Sequence, residues 1–220
     1  MKIVSFDCYG TLVDWEKGII SSLRTIFEKY EVDITDDEIL EIYSIIESRL
    51  EKNYIPYKEI LKKIVIKFSD YFDFDLERGE ENALLNNWAN FELFEDVNET
   101  LKEIKKRGYK IAIISNVDND LFELTKKKFE FEIDYIITSE MVKAYKPSKI
   151  VFEYALKVFN SNKDEILHTA QSYYHDIIPA KELGIKTAHI KRRGFGATPR
   201  VEIVNSDYEF ENLREMLSIL

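Results

Sequence analysis

Asp7 is the residue of this chain best placed to do chemistry. It closes the run Lys2 to Phe6 (KIVSF), mostly apolar with β-branched members, and opens a turn that requires Gly10. A buried strand leading into a glycine-containing loop is the expected opening of an α/β domain. A carboxylate at such a point can serve as a covalent nucleophile. Three further positions join it. Ser115 and Asn116 end the run KIAIIS and can donate hydrogen bonds to an anionic group. Lys146, fixed by Pro147 after it, offers a cation, and Asp176 follows the run ILHTA with a second carboxylate. Each taken singly has an ordinary reading as a turn, loop or solvated residue. Their placement at the ends of successive strands sets them apart, because in open α/β sheets the site lies beyond the carboxyl ends of the strands.

The elements that must position them follow from periodicity. Strands are expected at Lys2 to Phe6, Lys110 to Ser115, Tyr135 to Ser139, Ile166 to Ala170, Lys186 to Ile190 and Asp207 to Phe210. Helices are expected between them, over Val97 to Arg107, Leu121 to Phe129, Ser148 to Phe159 and Ile177 to Leu183, with a last helix at the end of the chain. Strands alternating with helices imply a doubly wound, mainly parallel sheet with right-handed crossovers. Residues 13–92 break the alternation. Trp15 to Tyr30, Ile39 to Leu50, a helix begun at Pro56 and Glu77 to Trp88 all read as helical. The chain is therefore expected to divide into an α/β core of residues 1–12 and 93–220 and a helical cap of residues 13–92. A cap inserted after the first strand would cover the site as a lid.

Composition narrows the partners. The 220 residues carry 31 Lys and Arg against 41 Asp and Glu, a formal charge of -10. Such a chain is a poor binder of nucleic acid or of anionic membranes through bulk charge. Its single cysteine, Cys8, allows no internal disulfide, and no apolar run approaches a membrane span. The acid and glycine near its start do not fit a signal peptide, so a cytoplasmic location is expected. The three histidines form no metal-binding spacing.

Longer strings carry a resemblance. Phe6-Asp7-Cys8-Tyr9-Gly10-Thr11-Leu12-Val13-Asp14 looks like the first motif of the haloacid dehalogenase superfamily. Ile114-Ser115-Asn116 resembles the second motif, Lys143 to Pro147 the third, and His168 to Asp176 the fourth. The match spans nearly the whole chain and includes the helical cap. Phosphatases of that superfamily carry an acid two residues after the nucleophile, where this chain has Tyr9. The form Asp-x-Tyr-Gly-Thr-Leu looks like the type II 2-haloacid dehalogenases, and FDCYGTLVDW, SNVDN and RRGFGAT look like a nearby group that includes azetidine-2-carboxylate hydrolase.

The resemblance implies a mechanism. Asp7 would attack the carbon next to a substrate carboxylate, expel halide or open a C–N bond, and form an ester that water hydrolyses. Lys146 would lower the pKa of Asp7, and Asp176 would orient Lys146 or help activate water. Tyr9, Thr11, Ser115, Asn116 and Ser172 would hold substrate or nucleophile. Backbone amides after Asp7 would stabilise the oxyanion. The substrate would be a small carboxylic acid, no cofactor would be needed, and cap helices such as Ile39 to Leu50 would be the surface for a homodimer. The alternative is a magnesium-dependent phosphatase with Asp7, the Tyr9 carbonyl and Asp176 at the metal. A further alternative is a binding protein that kept the fold without turnover.

The pattern also departs from the dehalogenases. The dehalogenases use an early cap arginine to cradle the halide; the cap here offers Arg24 and Arg49, and neither aligns with it. Gln171 and Tyr173 stand where motif four carries Ser and Asn, and Phe152 replaces a tyrosine. Of the remaining residues, His168 and His189 are expected as satisfied core groups, and His175 as structural or, alternatively, a water-activating base. Cys8 is expected to point away from Asp7 into the core. Trp15 and Trp88 are expected in cap packing, with Trp15 also a candidate pocket wall. Lys191 to Arg193, with Gly194 and Gly196 after them, read as a solvated turn or, alternatively, as a basic loop at the rim of the site.

Overall fold

In the computed structural model of the protein, residues 2–192 and 198–220 are described. Six strands form one sheet: β1 (Ile3–Phe6), β2 (Lys110–Ser115), β3 (Tyr135–Thr138), β4 (Ile166–Ala170), β5 (Lys186–Ile190) and β6 (Tyr208–Phe210). Their order is β3-β2-β1-β4-β5-β6, and every pairing is parallel. β1 is therefore central, with β2 and β4 on either side. All four of its residues are buried, as expected of a strand covered on both faces. Alternation assigns its side chains: Val4 and Phe6 join the larger apolar core and Ile3 the smaller one beneath. Ile111 and Ile113 of β2 follow the first, Ala112 and Ile114 the second.

Between β1 and β2 lie α1 (Trp15–Lys29), α2 (Asp36–Leu50), α3 (Tyr57–Phe72), the short α4 (Ala83–Asn87) and α5 (Val97–Lys106). The first four stack on one another around Phe27, Tyr43, Ile64, Phe68 and Trp88. α2 begins at a capping box, with Thr35 accepting from the Glu38 amide while the Glu38 carboxylate accepts from Thr35. Gly18 of α1 admits the ring of Phe91 so closely that a Cβ there would lie 2.4 Å from it. Beyond β2 come α6 (Asn119–Lys126), α7 (Ser139–Val142), α8 (Lys149–Phe159) and α9 (Ile178–Glu182), which complete the crossovers.

The structure departs from the periodicity reading in four places. Glu77 to Trp88 is not one helix: Gly79 takes a left-handed φ of +98°, and a 3-10 turn, α4 and a second 3-10 turn follow. The helix after β4 opens with a π-type turn, Tyr173–Ile177. Pro179 has no N–H to continue an α-helical ladder back through that segment. Ser139 starts α7 instead of ending β3, and the last helix is a 3-10 segment, Leu213–Ser218. Arg192 is not a solvated residue. It makes two bonds to Asp96, at 3.0 and 2.9 Å, donates to the Thr11 carbonyl and lies over the Phe94 ring. Arg193, Gly194 and Gly196 lie outside the described residues.

Candidate active site

The carboxyl ends of β1, β2 and β4 converge on one buried cluster. Lys146 is 1% exposed, and its ammonium has three hydrogens and three acceptors: Asp7 Oδ1 at 2.8 Å, Asp176 Oδ1 at 2.6 Å and the Ile114 carbonyl at 3.0 Å. Its donors are all in use. Thr11 donates to Asp7 Oδ2 at 2.7 Å and accepts from the Gln171 amide. The Asp7 carboxylate is thus gripped on both oxygens. Asn116 holds the backbone of Lys146 from two sides, accepting from its N–H at 2.8 Å and donating to its carbonyl at 3.0 Å. The Lys146–Pro147 peptide bond is cis.

Asp176 is steadied by a residue read from sequence only as core. Nε2–H of His168 donates to Asp176 Oδ1 at 2.9 Å, while Nδ1 accepts from Ser5 at 2.9 Å. Burial opposes ionisation of Asp176 most strongly, but Lys146 and His168 together outweigh it and the pKa falls below its usual value. At Asp7 burial wins. Its pKa is raised, with the Lys146 charge opposing the shift and the Asp176 charge adding to it. The expectation that Lys146 lowers the Asp7 pKa therefore holds for that single interaction and fails for the net effect. Lys146 itself is held well into the protonated range, because its two carboxylates exceed the cost of burial.

The other sequence candidates divide. Ser115 Oγ is buried without a partner and is free to meet a ligand. Tyr9 is not: its hydroxyl lies 2.8 Å from Thr125 Oγ1, its ring packs against Trp88, and burial drives its pKa well up. It cannot take the role of the carboxyl group a phosphatase carries there. Ser172 caps the π-type turn, accepting from the His175 amide at 3.0 Å. Cys8 is fully buried in the core, as its strand position implied.

The helical insertion between β1 and β2 adds groups that the sequence did not single out. A cavity of about 30 Å³ lies beside Asp7, Lys146 and Asp176, and its opposite wall is Glu47, Glu51 and Tyr57 from α2 and α3, with Trp15 from α1. Glu47 Oε1 accepts from Tyr57 at 2.6 Å and from Tyr43 at 3.3 Å. Glu51 Oε1 accepts from Asn116 at 2.9 Å, which ties the cap to the core. Glu51 Oε2 is buried with no hydrogen-bond partner, although His175 Nε2 stands 3.3 Å away. Asp118 supplies a second tie, accepting the Tyr57 and Lys58 amides at 2.9 Å each at the start of α3. The signal for Glu47 and Glu51 was present. Ile39, Tyr43, Glu47 and Glu51 recur every four residues, so the acids continue the buried stripe of α2.

Magnesium can be tested against this donor set. It takes one or two carboxylates and completes its shell with water and substrate phosphate. Asp176 Oδ2 is buried and unpartnered, and Asp7 is the second carboxylate at hand, so the chemistry fits. The Lys146 ammonium already bridges one oxygen of each. Among the described residues no group of three or more His, Cys, Asp or Glu side chains is arranged to hold a metal ion, and no helix is long and apolar enough to cross a membrane.

Known proteins share this arrangement in fold. The L-2-haloacid dehalogenase of Xanthobacter autotrophicus, solved with chloropropionic acid covalently bound, superposes with a TM-score of 0.81 at 16% identity over 100% of this chain and 98% of that one. The HAD hydrolase YfnB from Bacillus subtilis, bound to magnesium, gives 0.79 at 18% identity over 99% and 97%. Among curated proteins, pyrophosphatase PpaX of Bacillus thuringiensis (strain Al Hakam) is 27% identical over 229 residues, covering 100% of this chain and 97% of its own. The model of the haloacid dehalogenase-like hydrolases matches residues 4–190, a span that holds the aspartate, the lysine and the second aspartate just described. The chain is therefore a member of the haloacid dehalogenase-like hydrolase family and an enzyme of the hydrolase class.

Proposed function

We propose that this hydrolase displaces a leaving group from a carbon alpha to a carboxylate, through an ester to Asp7. One observation carries the reading. Asp7 is buried and held on both oxygens by Lys146 and Thr11, while Tyr9, committed to Thr125, leaves no acid two residues on. A site with a fixed carboxylate nucleophile and no acid at that position favours leaving groups that depart without one, such as halide. An aspartyl ester then forms, and water attacks its carbonyl to release the hydroxy acid and restore Asp7. Asp7, Lys146 and Asp176 would be the catalytic set. Ser115 is the free donor for the substrate, and Thr11, Asn116 and Ser172 act by holding the catalytic groups in place. Residues 13–92 would serve as the cap, with no cofactor taking part.

The test is halide release from a panel of 2-chloro and 2-bromo acids with EDTA present, on wild type and Asp7→Asn. A single turnover in heavy-oxygen water adds the position of attack. Label appearing in the Asp7 carboxyl supports the ester, and label appearing only in product sinks it.

A second reading has its own support. Curated relatives at 27% identity are named pyrophosphatases, and Asp176 Oδ2 offers an oxygen to magnesium. Hydrolysis of phosphate esters or pyrophosphate that requires magnesium, with no halide release from any acid, would decide for it.

A further inference from the structure

Glu47 and Glu51 pose a problem for a site meant to receive only a carboxylate. They add two carboxyl groups to a cavity already lined by Asp7 and Asp176, and the one lysine there has all its donors engaged. Each acid is deeply buried: Glu47 is 2% exposed, and the Glu51 side chain 5%. Neither makes an ion pair with Lys or Arg among the described residues. Glu51 Oε2 has no hydrogen-bond partner, and its contact with His175 lacks hydrogen-bond geometry. A buried polar group left in this way costs stability unless something arrives to satisfy it.

We propose that Glu47 and Glu51 form a subsite for an organic ammonium group, so that the substrate carries a protonated nitrogen on the side of the reacting carbon that faces the cap. This rests on the reading of Asp7 as nucleophile for its account of the reacting carbon, while the subsite itself stands on the cap residues. The walls point to an organic cation over a metal ion. The aromatic rings of Tyr9, Trp15 and Tyr57 complete the cavity beside the two acids. Aromatic rings beside carboxylates are surroundings in which ammonium groups are recognised. The cavity, at about 30 Å³, exceeds the roughly 10–15 Å³ that one water-sized group requires, so a small group fits. The electrostatics agree: burial first, and then the neighbouring Glu51 charge, raise the Glu47 pKa well above its usual value. A cation brought by the ligand would relieve both.

The experiment measures equilibrium binding of methylammonium, potassium and acetate to wild type, Asp7→Asn, Glu47→Gln and Glu51→Gln. It is run at mildly alkaline pH, where the amine is still protonated. Methylammonium should bind wild type, and each Glu→Gln variant about ten- to a hundredfold more weakly, the size expected for losing a charged hydrogen bond; Asp7→Asn, on the opposite wall of the same cavity, should weaken it less than either Glu→Gln variant does. Thermal melting of the same variants shows whether they are folded. Equal binding of methylammonium to wild type and both Glu→Gln variants would overturn the proposal, as would its failure to bind wild type. Potassium binding as tightly as methylammonium would overturn the choice of an organic cation. In turnover, a 2-halo acid bearing an amino group should show a lower KM than its uncharged analogue, and Glu51→Gln should remove that preference. Intact methylammonium binding with no label reaching Asp7 from any acid would sink the nucleophile reading and leave the subsite standing.

Discussion

Lys146→Met isolates what the central ammonium does. Methionine keeps the length and flexibility of the stem and removes only the charge and its donors. In the wild type that ammonium touches both Asp7 and Asp176 and is itself 1% exposed. Its loss leaves two buried carboxyl groups facing each other with no cation between them. Breaking a buried ion pair from one side costs about 3–5 kcal/mol. In a chain of this size each kcal/mol moves the melting temperature by about 2–4 °C, so the variant should melt roughly 6–20 °C lower.

The pH dependence carries the sign. In the wild type the lowered Asp176 pKa contributes stability that is present above the ordinary value of 3.8 and lost as pH falls through the folded value. In the variant both acids have raised folded pKa values. Their contribution is then present below the unfolded value and lost as pH rises. The deficit against wild type should therefore be largest near neutrality and shrink toward acid. Adding Asp7→Asn should recover part of it, because one of the two facing charges is gone. Melting curves across acid to neutral pH on the three proteins measure all of this. A deficit that does not change with pH, or strict additivity in the double variant, would refute the argument that Lys146 stabilises by neutralising this pair.

Three further outcomes follow from the cap and its ties. Glu47→Gln should stabilise the fold by on the order of 1 kcal/mol and so raise the melting temperature, because it removes a carboxyl whose pKa burial has raised. The gain should be absent below the ordinary carboxylate pKa of 4.5 and grow as pH rises through the folded value; a gain that is constant with pH would contradict it. Gly18→Ala should destabilise by about 1–3 kcal/mol, since its Cβ would meet the Phe91 ring at 2.4 Å and the better helix propensity of alanine recovers at most about 1 kcal/mol. A more stable alanine variant in denaturant titration would show that the Phe91 ring can yield. Asp118→Ala should cost about 1 kcal/mol as a lost cap of α3 and speed amide exchange at Tyr57 and Lys58; unchanged exchange there would mean the tie carries no closure energy.

The sheet was legible because parallel strands buried on both faces read as apolar runs, and β2, β4 and β5 came out at their expected bounds. Asp7 was legible for a related reason, since it directly interrupts the run that ends β1. Lys146 lies beyond α7 and Asp176 inside the π-type turn after β4, so their meeting with Asp7 is supplied by the topology. The helical insertion was less transparent. Gly79 sits within an otherwise helical pattern, and a left-handed glycine breaks a helix that propensity alone would continue. Glu47 and Glu51 were hidden because a glutamate on a helix is ordinarily a solvated residue, and only their register with Ile39 and Tyr43 marks them as inward. His168 was read as core and is core, yet its ring reaches Asp176. Burial predicted from a strand pattern says where a side chain lies and nothing about which charge it touches across the next strand.

The small cavity and the two ties also bear on how a substrate gets in. At about 30 Å³ the closed space holds one small group, far short of a whole carboxylic acid with its leaving group. Loading must therefore separate the cap wall from the core wall. The bonds that hold them, from Asn116 to Glu51 and from the α3 amides to Asp118, lie beside the chemistry itself. Asn116 links the two events. The same side chain that fixes the backbone of Lys146 also holds Glu51, so a displaced cap removes one bond from the residue that positions the ammonium. Closure over a bound ligand restores that bond and expels water from around Asp7. The contacts to Asp7 itself, from Lys146 and Thr11, both come from the core, so displacing the helical insertion would reach Asp7 only indirectly, through Asn116 and the backbone of Lys146.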